Sequence, residues 1–138
     1  MALVRLLVVD DFRLWQDCLK EHLEGHPDLH IAGFASDGLE ALQKAEELQP
    51  DLVLLDISLP KLSGIEAARQ IRKVNPNCKI LFLTGYAYPE MVRGALQLGG
   101  CAYVHKDDAV TELVAGLEAA LAGRQYLSSS VMGHSDVT

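Results

Sequence analysis

Short apolar runs alternate along the chain with stretches in which apolar residues recur every third or fourth position. The runs at Val4–Val9, Leu29–Ala35, Leu52–Leu55, Lys79–Leu83 and Ala102–Val104 predict five strands. Three of them contain unbroken apolar tetrads, LLVV, LVLL and ILFL. A strand with one wet face alternates apolar and polar residues. An unbroken run therefore points to a strand covered on both faces, as in a parallel sheet.

The intervening stretches read as helices. Trp15, Leu19 and Leu23 repeat every fourth residue and are followed by the stop signals Gly25 and Pro27. Ala41, Leu42, Ala45 and Leu48 precede Pro50, and Ile65, Ala68, Ile71, Arg72 and Val74 end at Asn75-Pro76. Met91, Ala95 and Leu98 run into Gly99-Gly100, while Val110, Leu113, Val114, Leu117 and Leu121 close at Gly123. Five successive β/α units imply a doubly wound α/β domain, because right-handed crossovers place helices on both faces of the sheet. The closing SSSVMGHSDVT is small and polar and reads as a loose tail or linker.

Composition narrows the functional classes. With 138 residues, the chain has enough material for one domain and one substantial core. Its net charge of −7 argues against this segment gripping nucleic acid directly, which needs clustered Lys and Arg. Cys18, Cys78 and Cys101 show neither a CxxC pair nor a Cys/His metal spacing, so they are expected to be small buried side chains in a reducing compartment. The opening MALVRLLVVDD is too short to cross a membrane and lacks a small-residue cleavage site. A cytoplasmic location without membrane contact is the corresponding expectation.

In a doubly wound fold, function gathers at the carboxyl ends of the strands. Strand one ends in Asp10 and Asp11, strand three in Asp56 and strand four in Thr84, and strand five leads to Lys106. Three carboxylates in one partly desolvated cleft repel each other unless a cation fills the cluster. Oxygen ligands without His or Cys favour a hard ion, Mg²⁺ ahead of Ca²⁺. Lys106 then offers a point charge and Thr84 a hydrogen bond to phosphoryl oxygens, which leaves Asp56 as the candidate nucleophile. Taken singly, each residue has a plainer role, and Asp11 in particular could simply favour the dipole of a following helix. Their joint placement at successive strand ends is what points to chemistry.

These residues resemble the receiver domains of two-component response regulators. The resemblance rests on an apolar strand leading to Asp10-Asp11, then LVLLDISLPKLSG, LFLTG and AYVHKD, with the Asp56-x-x-x-Pro60-x-x-x-Gly64 spacing the most specific part. It covers roughly Leu3 to Leu127, and PDLHIAGFASDGLEAL and LAGRQYLS are closest to the NarL/FixJ subgroup. It implies a flavodoxin-like (CheY-like) five-stranded parallel sheet in the order 2-1-3-4-5. The receiver domain is expected over residues 1–125, with 126–138 a tail or the start of a linker to an absent output domain.

The resemblance also implies roles. Asp10, Asp11, Asp56 and the Ser58 backbone carbonyl would hold Mg²⁺, and Asp56 would accept a phosphoryl group from a histidine kinase. Thr84 and Lys106 would bind that group, and Tyr103 would couple it to a surface, although Tyr103 also reads as a core aromatic. Pro60 would stiffen the loop and Gly64 would supply a tight turn, while Ser58 and Tyr86 occupy positions that tune access to the phosphate. The implied function is a signalling switch with no external substrate, which dimerises on phosphorylation. It would act on DNA through a helix-turn-helix output domain. Three alternatives are a degenerate receiver that only binds protein, an aspartyl-phosphate hydrolase and a flavodoxin. Ser58 replaces the second Asp that the hydrolase requires, and the loop after strand one lacks a flavodoxin's phosphate cradle.

Overall fold

The computed structural model describes residues 3–85, 88–99 and 101–131. Five strands and five helices alternate through most of the chain: β1 (Val4–Val9), α1 (Arg13–Leu23), β2 (Leu29–Ala35), α2 (Gly38–Leu48), β3 (Leu52–Leu55), α3 (Gly64–Val74), β4 (Lys79–Thr84), α4 (Pro89–Leu96), β5 (Ala102–His105) and α5 (Ala109–Leu121). A sixth strand, β6 (Tyr126–Leu127), follows. All pairings are parallel, in the order β2-β1-β3-β4-β5-β6.

The unbroken apolar runs lie in the sheet interior, and every residue of β3 is buried. Alternate side chains of the central strands feed two separate cores. Leu7, Val9, Val53, Leu55, Phe82 and Tyr103 meet the small faces of α2, α3 and α4, where Ala41, Ala45, Ala67, Ala68 and Ala95 let the helices sit close to the sheet. Leu6, Val8, Leu54, Leu81 and Val104 meet Leu19 and Leu23 of α1 and Leu113 and Leu117 of α5. Helix starts are set locally as well. Asp37 accepts from the Glu40 backbone N–H at 2.8 Å, and the Glu40 carboxylate accepts from the Ser36 N–H at 2.7 Å. The first contact satisfies a donor that the first turn of α2 leaves unpaired, and the second ties the residue before the cap back onto that turn.

Several expectations are corrected. The sheet has six strands rather than five, because Tyr126 and Leu127 pair in register with Ala102 and Tyr103. Two residues carry no readable periodicity, and this strand is held by tertiary hydrogen bonds. Ser128 N–H donates to the Tyr103 carbonyl at 3.0 Å. The Ser128 hydroxyl accepts from the His105 N–H at 2.9 Å and donates to the Asp108 carboxylate at 2.6 Å. Ser130 gives Asp108 two further bonds, and Tyr126 Oη donates to Glu112 at 2.8 Å. The expected loose tail is therefore packed down as far as Val131, which is fully buried. Val110 and Val74, assigned to helical stripes, are exposed instead. Cys18 is exposed too, whereas Cys78 and Cys101 are buried and burial pushes the Cys78 thiol up to about 12.

The docked segment has a pH signature. Burial works against the charge of Asp108, but the bonds from Ser128 and Ser130 outweigh it and hold the carboxyl below its usual range. A carboxyl lowered in the folded state stabilises that state above its unfolded value, and the contribution is lost as pH falls through the folded one. Protection of the Ser130 amide from hydrogen exchange should thus hold at neutral pH and decline below about pH 4. Asp108→Ala should lower that protection about tenfold or more at neutral pH while leaving β1 and β3 unchanged. An unchanged Ser130 amide would show that the segment is held by something else.

Candidate functional site

The carboxyl edge of the sheet opens into a cleft of about 390 Å³ lined by Asp10, Asp11, Phe12, Asp56, Ser58, Gly85 and Lys106. Residues far apart in sequence meet there because β1, β3 and β4 end side by side. Asp10, Asp11 and Asp56 each place one carboxylate oxygen within 4.8 Å of the others. Asp10 and Asp56 are buried and Asp11 faces solvent.

Lys106 opens the short 3-10 turn Lys106–Asp108 that follows β5. Its Nζ lies 2.7 Å from Asp10 Oδ2 and 3.3 Å from Asp56 Oδ2, bridging the two buried carboxylates. Burial opposes the charge of Lys106, yet these two partners prevail and raise its pKa. Asp10 shows the other side of the balance. Its burial outweighs the pull of Lys106 and holds its carboxyl above the usual range. Three carboxylates against one ammonium leave two negative charges in the cleft, which matches a divalent cation. The donors are all oxygen, as a hard ion requires.

Local geometry fixes these side chains. Asp10 Oδ1 accepts from the Phe12 N–H at 2.9 Å, and Asp56 Oδ1 accepts from the Ser58 N–H at 3.2 Å. Phe12, rather than Asp11, is the N-cap of α1, so Asp11 stands outside the helix and is left to the cleft. Gly64 serves a purpose different from the expected turn. It is the first residue of α3, and a Cβ there would lie 2.0 Å from the Asp56 carbonyl oxygen. Its own N–H donates to the Ile57 carbonyl at 2.8 Å, which pins α3 directly behind the Asp56 segment. The Pro60 carbonyl accepts from the Leu62 and Gly38 N–H groups at 2.8 and 3.3 Å, tying the loop to α2.

The remaining expected residues are placed as follows. Thr84 is fully buried at the end of β4, in register with His105, while its neighbour Gly85 forms the cleft wall. Tyr103 is buried with its ring centroid 6.1 Å from that of Phe82, and burial, with the charge of Asp56 adding to it, raises its pKa. Tyr86 lies outside the described residues. His105 accepts from the Asp107 N–H through Nδ1 at 3.0 Å and so caps the turn carrying Lys106.

Two residues at this site escape sequence reasoning. Gln16 is buried, and its amide donates to the Asp10 carbonyl at 2.6 Å, anchoring the acidic loop from α1. Trp15 sets its ring 5.1 Å from Lys106 Nζ. Helical spacing assigned Trp15 to the core, and nothing in the local pattern signals a contact 91 positions along the chain.

Residues 6–118 match the family model described as the response regulator receiver domain. The transcriptional regulatory protein LiaR of Bacillus subtilis is 34% identical over 131 residues, 95% of this chain and 62% of that protein. The response regulator GacA of Pseudomonas viridiflava is 33% identical, over 94% of this chain and 60% of that protein. The chain thus spans about three fifths of the length of these curated relatives. A LuxR-family two-component response regulator from Aurantimonas superposes with a TM-score of 0.90 at 31% identity, covering 99% of this chain and 97% of that one. The response regulator domain of Thermotoga maritima CheB superposes with a TM-score of 0.78 at 30% identity, over 87% and 97% of the two chains. Among the described residues no helix is long and apolar enough to cross a membrane. The chain belongs to the response regulator receiver domain family.

Proposed function

We propose that the chain is a phosphorylation-dependent switch in which Asp56 accepts a phosphoryl group from a histidine kinase. The observation that carries this reading is the cleft charge: three clustered carboxylates, two of them bridged by a single ammonium. Asp10, Asp11, Asp56 and the Ser58 carbonyl would hold Mg²⁺, which when bound supplies neutralising charge and orients phosphoryl oxygens. An Asp56 carboxylate oxygen attacks phosphorus as the P–N bond of a phosphohistidine breaks. The electron pair of that bond stays on the imidazole nitrogen, and Asp56 becomes an acyl phosphate. Lys106, already 3.3 Å from Asp56, exchanges its contact with the free carboxylate for one with a phosphoryl oxygen.

The structural response runs through Thr84 at the end of β4 and Tyr103 on the neighbouring strand β5. Thr84 donates its hydroxyl to the phosphoryl group and withdraws from its resting contacts, and Tyr103 repacks next to it. Because the Tyr103 carbonyl receives the Ser128 N–H, a shift of β5 also reaches the docked segment after α5. The readout is dimerisation of two chains and control of an output domain. The relatives named as transcriptional regulators favour a DNA-binding output, contacted through residues beyond this domain rather than by its acidic surface. The chain is a signalling domain of the cytoplasm that turns over no external substrate.

Incubation with acetyl phosphate and Mg²⁺ should add one phosphoryl group to the intact mass of the chain. The adduct should be absent from Asp56→Asn and absent when EDTA is present. A wild-type chain that takes no label would instead be a binding-only receiver. In size-exclusion chromatography the labelled wild type should elute as a dimer. Thr84→Ala should take the label and remain monomeric, whereas a labelled Thr84→Ala dimer would remove Thr84 from the coupling.

A further inference from the structure

The lysine of this cleft has two kinds of partner. Asp10 and Asp56 contact its ammonium, and Nζ also lies over the indole ring of Trp15, 5.1 Å from its centroid. A cation over an indole face is attracted by the ring quadrupole, and the attraction strengthens where water is excluded. Here the Lys106 side chain is 20% exposed, so the contact is largely desolvated.

Packing alone does not account for a tryptophan at this position. Trp15 belongs to the apolar stripe of α1 with Leu19 and Leu23, a place that leucine would fill. The indole also brings a liability that leucine lacks, because Trp15 Nε1 is buried without a hydrogen-bond partner among the described residues. The residue also borders a hollow of about 190 Å³, shared with Leu19, Ala109 and Leu113. The ring face is the part of this side chain with a specific partner.

We infer that Trp15 is a positioning residue for Lys106, its indole face holding the ammonium over the Asp10–Asp56 pair so that phosphoryl transfer to Asp56 starts with the lysine in place. A lysine stem is flexible, and its ammonium is readily drawn into water. The ring closes that route while leaving the ammonium free to slide from carboxylate to phosphoryl oxygen. Gln16, one residue on, fixes the Asp10 backbone, so the first turn of α1 governs both partners of the ion pair. This inference rests on the proposed phosphoacceptor role of Asp56.

The test is a double-mutant cycle on the initial rate of phosphorylation by acetyl phosphate at saturating Mg²⁺. Trp15→Leu should slow labelling about three- to tenfold, and Trp15→Phe, which keeps a π face, should stay within about twofold of wild type. In a Lys106→Met background, Trp15→Leu should have no further effect. An equal slowing in both backgrounds, or an equal loss in the Phe and Leu variants, would overturn the inference. Thermal unfolding of the Leu and Phe variants separates these outcomes from a loss of fold.

Trp15 is the single tryptophan of the chain, which supplies a second readout on the intact protein. Its emission should change on phosphorylation of the wild type and stay constant in any labelled Lys106→Met. An identical emission change in both would also count against the contact. A wild type that takes no phosphoryl group at all would reject the proposed function itself, whereas a labelling wild type with an additive cycle would reject only the role of Trp15.

Discussion

Electrostatic repulsion at the carboxyl edge of the sheet is the constraint around which the rest is arranged. Two buried aspartates and an exposed one share a small space with one lysine, and burial raises the Asp10 carboxyl even though Lys106 touches it. Such an arrangement costs stability without a cation and becomes favourable with one. The fold accepts it because strong packing lies directly beneath. β1, β3 and β4 are buried on both faces, and Gly64 brings α3 against the Asp56 backbone with no room for a side chain. The residues of the cleft are thus fixed by elements whose stability comes from elsewhere.

The same arrangement explains how a local change of charge could travel. Lys106 follows β5, and β5 carries Tyr103 in its interior and β6 along its edge. Asp108, two residues beyond Lys106, binds Ser128 and Ser130. The turn that holds the cleft lysine is therefore also the anchor of the C-terminal segment. Movement at one end of this short turn is felt within a few residues of the other, so the β5 edge connects the cleft to the segment after α5.

Much of this was legible in the sequence, for physical reasons that differ by element. Unbroken apolar runs mark β1, β3 and β4 because burial on both faces leaves no polar alternation, while β2 and β5 show as shorter apolar stretches between helical ones. Strand ends then brought Asp10, Asp11, Asp56 and Lys106 to one edge, where the structure gathers them. Strand β6 was not legible, since two residues cannot display a period; Glu112 holds Tyr126, and Asp108 holds Ser128 and Ser130 just beyond the strand. Val110 follows the helical spacing yet lies outside the core, because α5 turns that position to the surface beside the hollow it shares with α1. Trp15 was legible as apolar but not as a neighbour of Lys106. Periodicity reports which face of a helix is buried, not which cation it meets.

The central claim is that the excess negative charge of the cleft makes a divalent-ion site. Isothermal titration of the chain with Mg²⁺ tests it most directly, alongside Asp11→Asn, which alters the exposed carboxylate with little effect on the core. One ion per chain is expected, bound about tenfold or more weakly by Asp11→Asn, since one full ligand charge is lost. A chain that binds no Mg²⁺, or an Asp11→Asn variant that binds it as tightly as wild type, would mean that the clustered carboxylates do not form a divalent-ion site.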